Sequence, residues 1–519
     1  MSTITALTPI TAPSAPAVTN TSRTATAGAA PVSGAASSTV VRLGEQGEAS
    51  SRALVWENRT HSTSATLMAR NMGNDELSTR LSGLGSELLK QVAYDGADFS
   101  QSVQQLPAGA ASDTYALQVS PAKISQHGLG DNQISLSITT TSGIKVDLKL
   151  DASDGSIAVE AHSSGKLNEV ERKALGKLSE AFQKSIDGLT ENPPRIDLAG
   201  LTQFDSNVLA AVDLKGQIKI DAKDTQRLEF HADSIGRSLS FSGPAGVANI
   251  AVDLSKPASW GSKEQQAGAL EHYLQQVDQA ATRGQGRGAI IGMFKQGFSA
   301  LNSDYGSRPV AQQAIALNQQ DHALTTGLAD FNASFAQTEE FPNPARSTEK
   351  DSFAYELAQK TSISGGSQLN RSISQEQSSH LKARYHAPIK ADAILALDLS
   401  PNSQNYNYVT IDDAASSATE IAYNKGVLAK ATLDMQASQS TRTLRYSLGK
   451  LQDDHTTPLG KHSTRDLLAT LEPERTGRDP LSASEQAQML ATLHQQILLQ
   501  QNPDALSASP LPERLRTGR

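Results

Sequence analysis

Between residues 114 and 163 the chain alternates apolar and polar side chains. TYALQVS, QISLSITT, IKVDLKLDA and SIAVEAH each send every second residue to one face, as half-buried strands do. Ser142-Gly143 in TTSGIK and Asp154-Gly155 in DASDGS are hairpin signals between them, so the segment is predicted to be an antiparallel meander. The period then changes. Val170, Ala174, Leu178, Phe182 and Ile186 recur at four-residue steps, with Leu175 and Leu189 beside them. Asn168 stands three residues before Glu171 in the spacing of a capping box, and Gly188 with Pro193-Pro194 ends the run. This helix, 167–189, is expected to cover one face of the meander. Alternation returns in VLAAVDL, QIKIDA, RLEFHAD, SLSFSG and VANIAVDL. The apolar-Asp-Leu triplets at 146–148, 212–214, 252–254 and 397–399 read as strand patterning at irregular spacing.

Upstream, Leu77, Leu81, Leu84, Leu88 and Val92 form one helical stripe that Asn74 or Asp75 can cap. Residues 262–335 are predicted to be helical throughout. EFPNPARSTEKD, with two prolines in a polar setting, is the predicted domain boundary. Beyond it, 351–450 shows long polar alternation around Gly365-Gly366, read as long antiparallel strands with two rather polar faces and weakly specified register. Ser482 and Glu485 have capping-box spacing before a stripe of Met489, Leu493 and Ile497.

The organisation implied is a tail (1–40), a helical arm (41–110) and a sheet with a covering helix (111–260). A helical segment (261–340), polar strands (346–450), and C-terminal helices with a basic tail (451–519) follow. The fold class is α+β: antiparallel β-meanders with covering helices segregated in sequence, in two or more units.

Composition adds constraints. With 38% hydrophobic and 4% aromatic residues, the core must be mainly aliphatic and Ala-rich. The first forty residues carry one charged side chain, Arg23, and are Ser, Thr, Ala, Pro and Gly in the main. They are expected to stay disordered, and they lack the apolar core of a secretory signal. A net charge of −8 argues against global attraction to nucleic acid or anionic lipid. No apolar run is long enough for a membrane span. The lack of cysteine excludes disulfides, thiolate metal sites and a cysteine nucleophile. It suits a cytoplasmic protein and equally one secreted unfolded by a signal-peptide-independent route.

Candidate chemistry is sparse. Gly284, Gly286 and Ala289 fit G-x-G-x-x-A, the form of an NAD-binding turn, with Asp304 twenty residues beyond Gly284. That motif needs a preceding strand, whereas the preceding segment reads as helix, so a glycine hinge between helices is the bland alternative. Asp453, Asp454, His455 and His462 flank TTPLGK, read as a turn, and are the densest set of possible metal ligands; a solvated loop is the alternative. His380 and His386, if strand-borne, share a face six residues apart, too far for one ion. Arg283, Arg287 and Lys295 make a basic patch. Ser-x-x-Lys spacings, as at Ser142/Lys145 and Ser447/Lys450, lack their companion motifs.

VERKALGKLSEAFQKSIDGL, followed by PPRIDLAGL, resembles a block in uncharacterised bacterial proteins, and the resemblance covers residues 115–260. It brings no motif of known chemistry. Such chains are sometimes labelled lactate dehydrogenases. That label implies NAD and a catalytic His–Asp pair with a substrate Arg, and no such set can be matched here residue by residue. The opening is similar in style to the unfolded leaders of type III or flagellar export substrates. The expectation is a non-enzymatic bacterial interaction or scaffold protein, its protein partner met by the 351–450 strands or the 482–499 helix. A cytoplasmic enzyme using NAD or a metal is the alternative.

Overall fold

Every strand among the described residues joins one sheet. The computed structural model describes residues 54–58, 62–95, 98–105, 125–305, 315–390, 393–472 and 480–508, all within the unit Arg52–Arg519. The predicted disordered tail and the strand TYALQVS lie outside these residues. The strands are β1 (Leu54–Trp56), β2 (Phe99–Gln105), β3 (Asn132–Thr140), β4 (Lys145–Ser153), β5 (Ser156–Ser163), β6 (Leu209–Lys219), β7 (Thr225–Asp233) and β8 (Gly236–Gly243). Then come β9 (Gly246–Asp253), β10 (Asp330–Gln337), β11 (Ser352–Ser367), β12 (Asn370–Pro388), β13 (Tyr406–Asn424), β14 (Val427–Ser447) and β15 (Lys450–Asp466). Their order is β1-β2-β5-β4-β3-β6, after which each strand pairs with its predecessor through to β15. The meander is therefore continuous across EFPNPARSTEKD, because β10 and β11 pair directly on either side of it.

Several expectations need correction. VLAAVDL and the start of QIKIDA form a single strand, β6, which runs through Lys215-Gly216 with Gly216 paired to Ile134 and Leu228 on either side. The helical reading of 262–335 fails at its end. Phe331, Ala333 and Phe335 alternate with Asn332 and Ser334, a period of two, and form β10. The stripe from Leu77 to Val92 is two helices, α2 (Leu77–Arg80) and α3 (Leu84–Asp95), which follow α1 (Thr63–Asn71). Gly83, at φ 74°, separates them. Leu397-Asp398-Leu399 lies in the β12–β13 connection, not in a strand.

The helices are interleaved with the strands in sequence. α4 (Glu169–Thr190) and α5 (Ala199–Thr202) fall between β5 and β6. α6 (Lys263–Gly284), α7 (Ala289–Asn302) and α8 (Gln319–Ala323) fall between β9 and β10. α9 (Leu468–Leu471), α10 (Ala483–Gln496) and α11 (Pro503–Ala508) follow β15. The predicted capping boxes of α4 (Asn168, Glu171) and α10 (Ser482, Glu485) are both present. α4 lies on β3 and β6, α7 on β8 to β10, and α6 on β11 and β12.

Register explains why one face is covered. Leu136, Leu214, Phe230, Leu239, Ile250, Ala333 and Leu357 are successive cross-strand partners, all buried in one hydrophobic core. The scarce aromatics concentrate there: Phe298 and Tyr273 meet Phe331 edge-on at 5.0 and 5.1 Å. Further along, the covered face turns polar. Gln359 donates to the carbonyls of Leu328 and Ala329, and Gln377 donates to that of Ile497 while accepting from the N–H of Leu499. These buried amides pin the connecting loops, so their polarity is satisfied.

Candidate functional site

Among the described residues, no helix lies along the centre of the opposite face. One register row there runs Asp213, His231, Ser238, Ala251, Asn332, Ala358, Ser378, Ser416, Gln436, His462. The row beside it runs Lys215, Glu229, Ser240, Asn249, Ser334, Glu356, His380, Ala414, Ser438, Gly460. Small hydroxyl, amide and methyl groups fill the middle of the first row, whereas the second carries Lys215 and Glu229 at one flank and Glu356 with His380 in its middle. Strands β6 to β14 together line one concavity of about 1000 Å³ on this face. A second concavity, of about 830 Å³, shares His231, Ser238 and Ser378 with it. A third, of about 520 Å³, continues past Lys382 and Asp412. The open face is thus a polar trough along the strands.

Its histidines sit against carboxylates. His231 Nδ1 is 2.7 Å from Asp213 and Nε2 is 3.3 Å from Asp233. Burial opposes its charge, but the two aspartates outweigh that and raise its pKa. His380 lies 2.7 Å from Asp412, and His462 lies 2.9 Å from Asp434. The histidines among the helices behave oppositely: burial lowers the pKa of His272, His322 and His494.

One end of the trough is closed. The connections 338–351 and 393–405 fold onto the open face over Tyr406, Tyr408 and Tyr446, with Leu395, Leu397 and Leu444 packed against them. His386 lies in this cluster with its side chain 1% exposed. Its Nδ1 is 2.6 Å from Asp351 and its Nε2 is 3.2 Å from Glu349. Tyr406 donates its hydroxyl to Glu349 at 2.6 Å, and Arg346 stands over the Tyr446 ring at 4.2 Å. Both ring nitrogens of His386 are engaged, so this group has no free nitrogen to act as a base toward a substrate.

The residues proposed from sequence are placed otherwise. Gly284 ends α6, and Ala289 begins α7. A helix, not a strand, precedes the turn. A Cβ on Gly284 would lie 2.8 Å from the Phe353 ring and 2.9 Å from Ala383, and one on Gly286 would lie 2.9 Å from Phe353. Close seating on β11 accounts for both glycines. Asp453, Asp454, His455 and His462 do not flank a turn: TTPLGK is the middle of β15, and the four are strung along that strand. Asp454 holds Arg442 through both oxygens at 2.8 and 2.7 Å. Among the described residues no three His, Asp or Glu side chains are arranged to hold a metal ion. Arg283 grips Asp413 at 2.9 Å and Lys295 grips Asp278 at 2.7 Å, so both are internally paired. The stripe of α10 is used within the fold, with Leu490, Leu493 and Ile497 buried. Ser142/Lys145 and Ser447/Lys450 sit at hairpin ends.

The residues missed from sequence were Asp213, His231, Glu349 and Asp351. The first two were legible, being the polar half of alternations already recognised as strands. No helix among the described residues is long and apolar enough to cross a membrane. Comparison with protein-family models, curated proteins and solved structures found no match.

Proposed function

We propose that this is a non-enzymatic bacterial interaction or scaffold protein that presents the open trough of its sheet to a polar partner surface. One observation carries the reading. A face nine strands wide, β6 to β14, is lined by Ser, Asn, Ala and charged side chains. Such a face offers many donors and acceptors for recognition. The 351–450 strands supply four of those nine strands, β11 to β14, which are the longest of them. The first forty residues fit export without a cleaved signal.

Ser240→Arg with Ser416→Arg places two long cations on the trough floor without altering the covered face. In-cell cross-linking from Lys215, at the trough, to another protein should vanish in this double variant, while cross-links from the remote Lys263 persist. Unchanged Lys215 cross-links, or none in the wild type, would remove the reading. Export is tested separately by fusing residues 1–40 to a reporter. Retention of the reporter in export-competent cells would remove that part alone.

A further inference from the structure

We propose that residues 339–351 form a strap that protonated His386 holds against the open face, and that loss of this proton releases the strap. The β10–β11 connection, 338–351, is far longer than the roughly two to five residues that close an ordinary hairpin, and a long ordered loop of this kind needs a specific anchor. Its anchor is the cluster at His386. Asp351 Oδ1 accepts both the backbone N–H of His386, at 2.9 Å, and its ring nitrogen. Glu349 takes the other ring nitrogen and the Tyr406 hydroxyl.

The charged state of the imidazole is therefore the only one that donates to both carboxylates. Deprotonation removes one donor and leaves Glu349 and Asp351, both acceptors, facing one neutral ring.

In this cluster His386 is the imidazole, and its surroundings move its titration upward from the free value. From the strap, Arg346, Glu349, Lys350 and Asp351 face it; β13 brings Tyr406 and Tyr408, β14 brings Tyr446, and Arg384 adjoins on its own strand. Burial pushes the three tyrosines upward, with Glu349 adding to the effect on each. Burial opposes the His386 charge, but Asp351 and Glu349 outweigh it and raise its pKa. The sign follows: a raised histidine pKa stabilises fully below about 6.5, and the contribution is lost as pH rises through the folded value. Glu349 is held low against its burial by His386 and Tyr406, so the closed state also persists into mild acid.

Release is local. Asn343 and Gln404 exchange reciprocal amide hydrogen bonds at 2.9 and 3.0 Å, and Arg346 donates to the Gly449 carbonyl at 2.7 Å. Neither these ties nor the Glu340–Asp351 backbone bridge titrates, so release is confined to the segment between Arg346 and Asp351 and uncovers Tyr406.

Hydrogen exchange of the full chain, normalised to intrinsic rates at each pH, tests this. The peptide spanning 347–353 should lose about tenfold or more of its protection between pH 6 and pH 9.5, while β6–β9 stay protected. His386→Gln should be loose at both pH values, and Glu349→Gln should move the transition to lower pH. Equal protection of the wild type at the two pH values would overturn the proposal. So would a transition surviving in His386→Gln, or one unmoved in Glu349→Gln; this last variant keeps the test open if His386→Gln does not fold.

Discussion

Arg371 aims Nε and Nη2 at one oxygen of Asp321, at 3.1 and 2.8 Å, and neither side chain is more than 5% exposed. The same oxygen accepts the N–H of Asn318, so one carboxylate both caps α8 and fastens it to β12. The guanidinium also stacks 3.7 Å over Tyr423, whose hydroxyl pKa burial pushes up to about 12. Removing one member leaves a buried charge without its partner. Arg371→Met is expected to destabilise by about 3–5 kcal/mol, and Arg371→Met with Asp321→Leu by clearly less. Denaturant midpoints of the three proteins check this.

How far the fold was readable follows from which faces are polar. β3, β4, β7, β8 and β9 place Leu, Ile, Val and Phe on one face, and alternation found them. β15 was invisible because it is exposed along nearly its whole length and has no apolar face. The long strands seemed polar on both sides because Gln359, Gln375, Gln377 and Thr419 occupy covered positions and spend their hydrogen bonds on loops. The trough was half legible: its polar residues were seen, but their convergence depends on cross-strand register. The His386 cluster depends on a segment, EFPNPARSTEKD, whose prolines in a polar setting suggested a domain boundary.

The glycine turn gives a prediction that separates packing from nucleotide binding. Gly286→Ala drives a methyl into the Phe353 ring and is expected to destabilise by about 1–3 kcal/mol. Phe353→Leu should relieve part of that in the double variant. Millimolar NADH should leave the wild-type melting temperature unchanged, since a ligand selective for the native state would raise it. An NADH-dependent rise that Gly286→Ala abolishes would restore the turn as a nucleotide site.

His231 supplies a pH prediction at the trough itself. Its raised pKa means its interaction with Asp213 and Asp233 is complete below about 6.5 and fades as pH rises through the folded value. The ring titration followed by NMR should show a midpoint above that of free histidine. Asp213→Asn should lower the midpoint, with the 3.3 Å contact to Asp233 retaining part of the shift. A midpoint indifferent to Asp213 would mean that the two side chains do not interact in solution.

Among the described residues β15 is the last strand of the sheet, with no strand paired to its outer edge. Ser440 of β14 faces Pro458, and the N–H of Ser440 turns away to Asp413 of β13 at 3.0 Å. At the far end the N–H of Leu467 reaches the carbonyl of Ala431, which sets the same alternation. The Ser440–Pro458 pair is therefore of the non-hydrogen-bonded kind, and the donor that proline lacks is missing from the outer edge. A proline in the middle of an exposed edge interrupts the row of groups that another strand would need. Pro458→Val restores that donor and adds a β-branched side chain. It is expected to leave the melting temperature within about 1 kcal/mol equivalent of the wild type and to promote concentration-dependent self-association. Sedimentation velocity across a concentration series measures it; identical profiles for variant and wild type would show that the edge is guarded by something other than this residue.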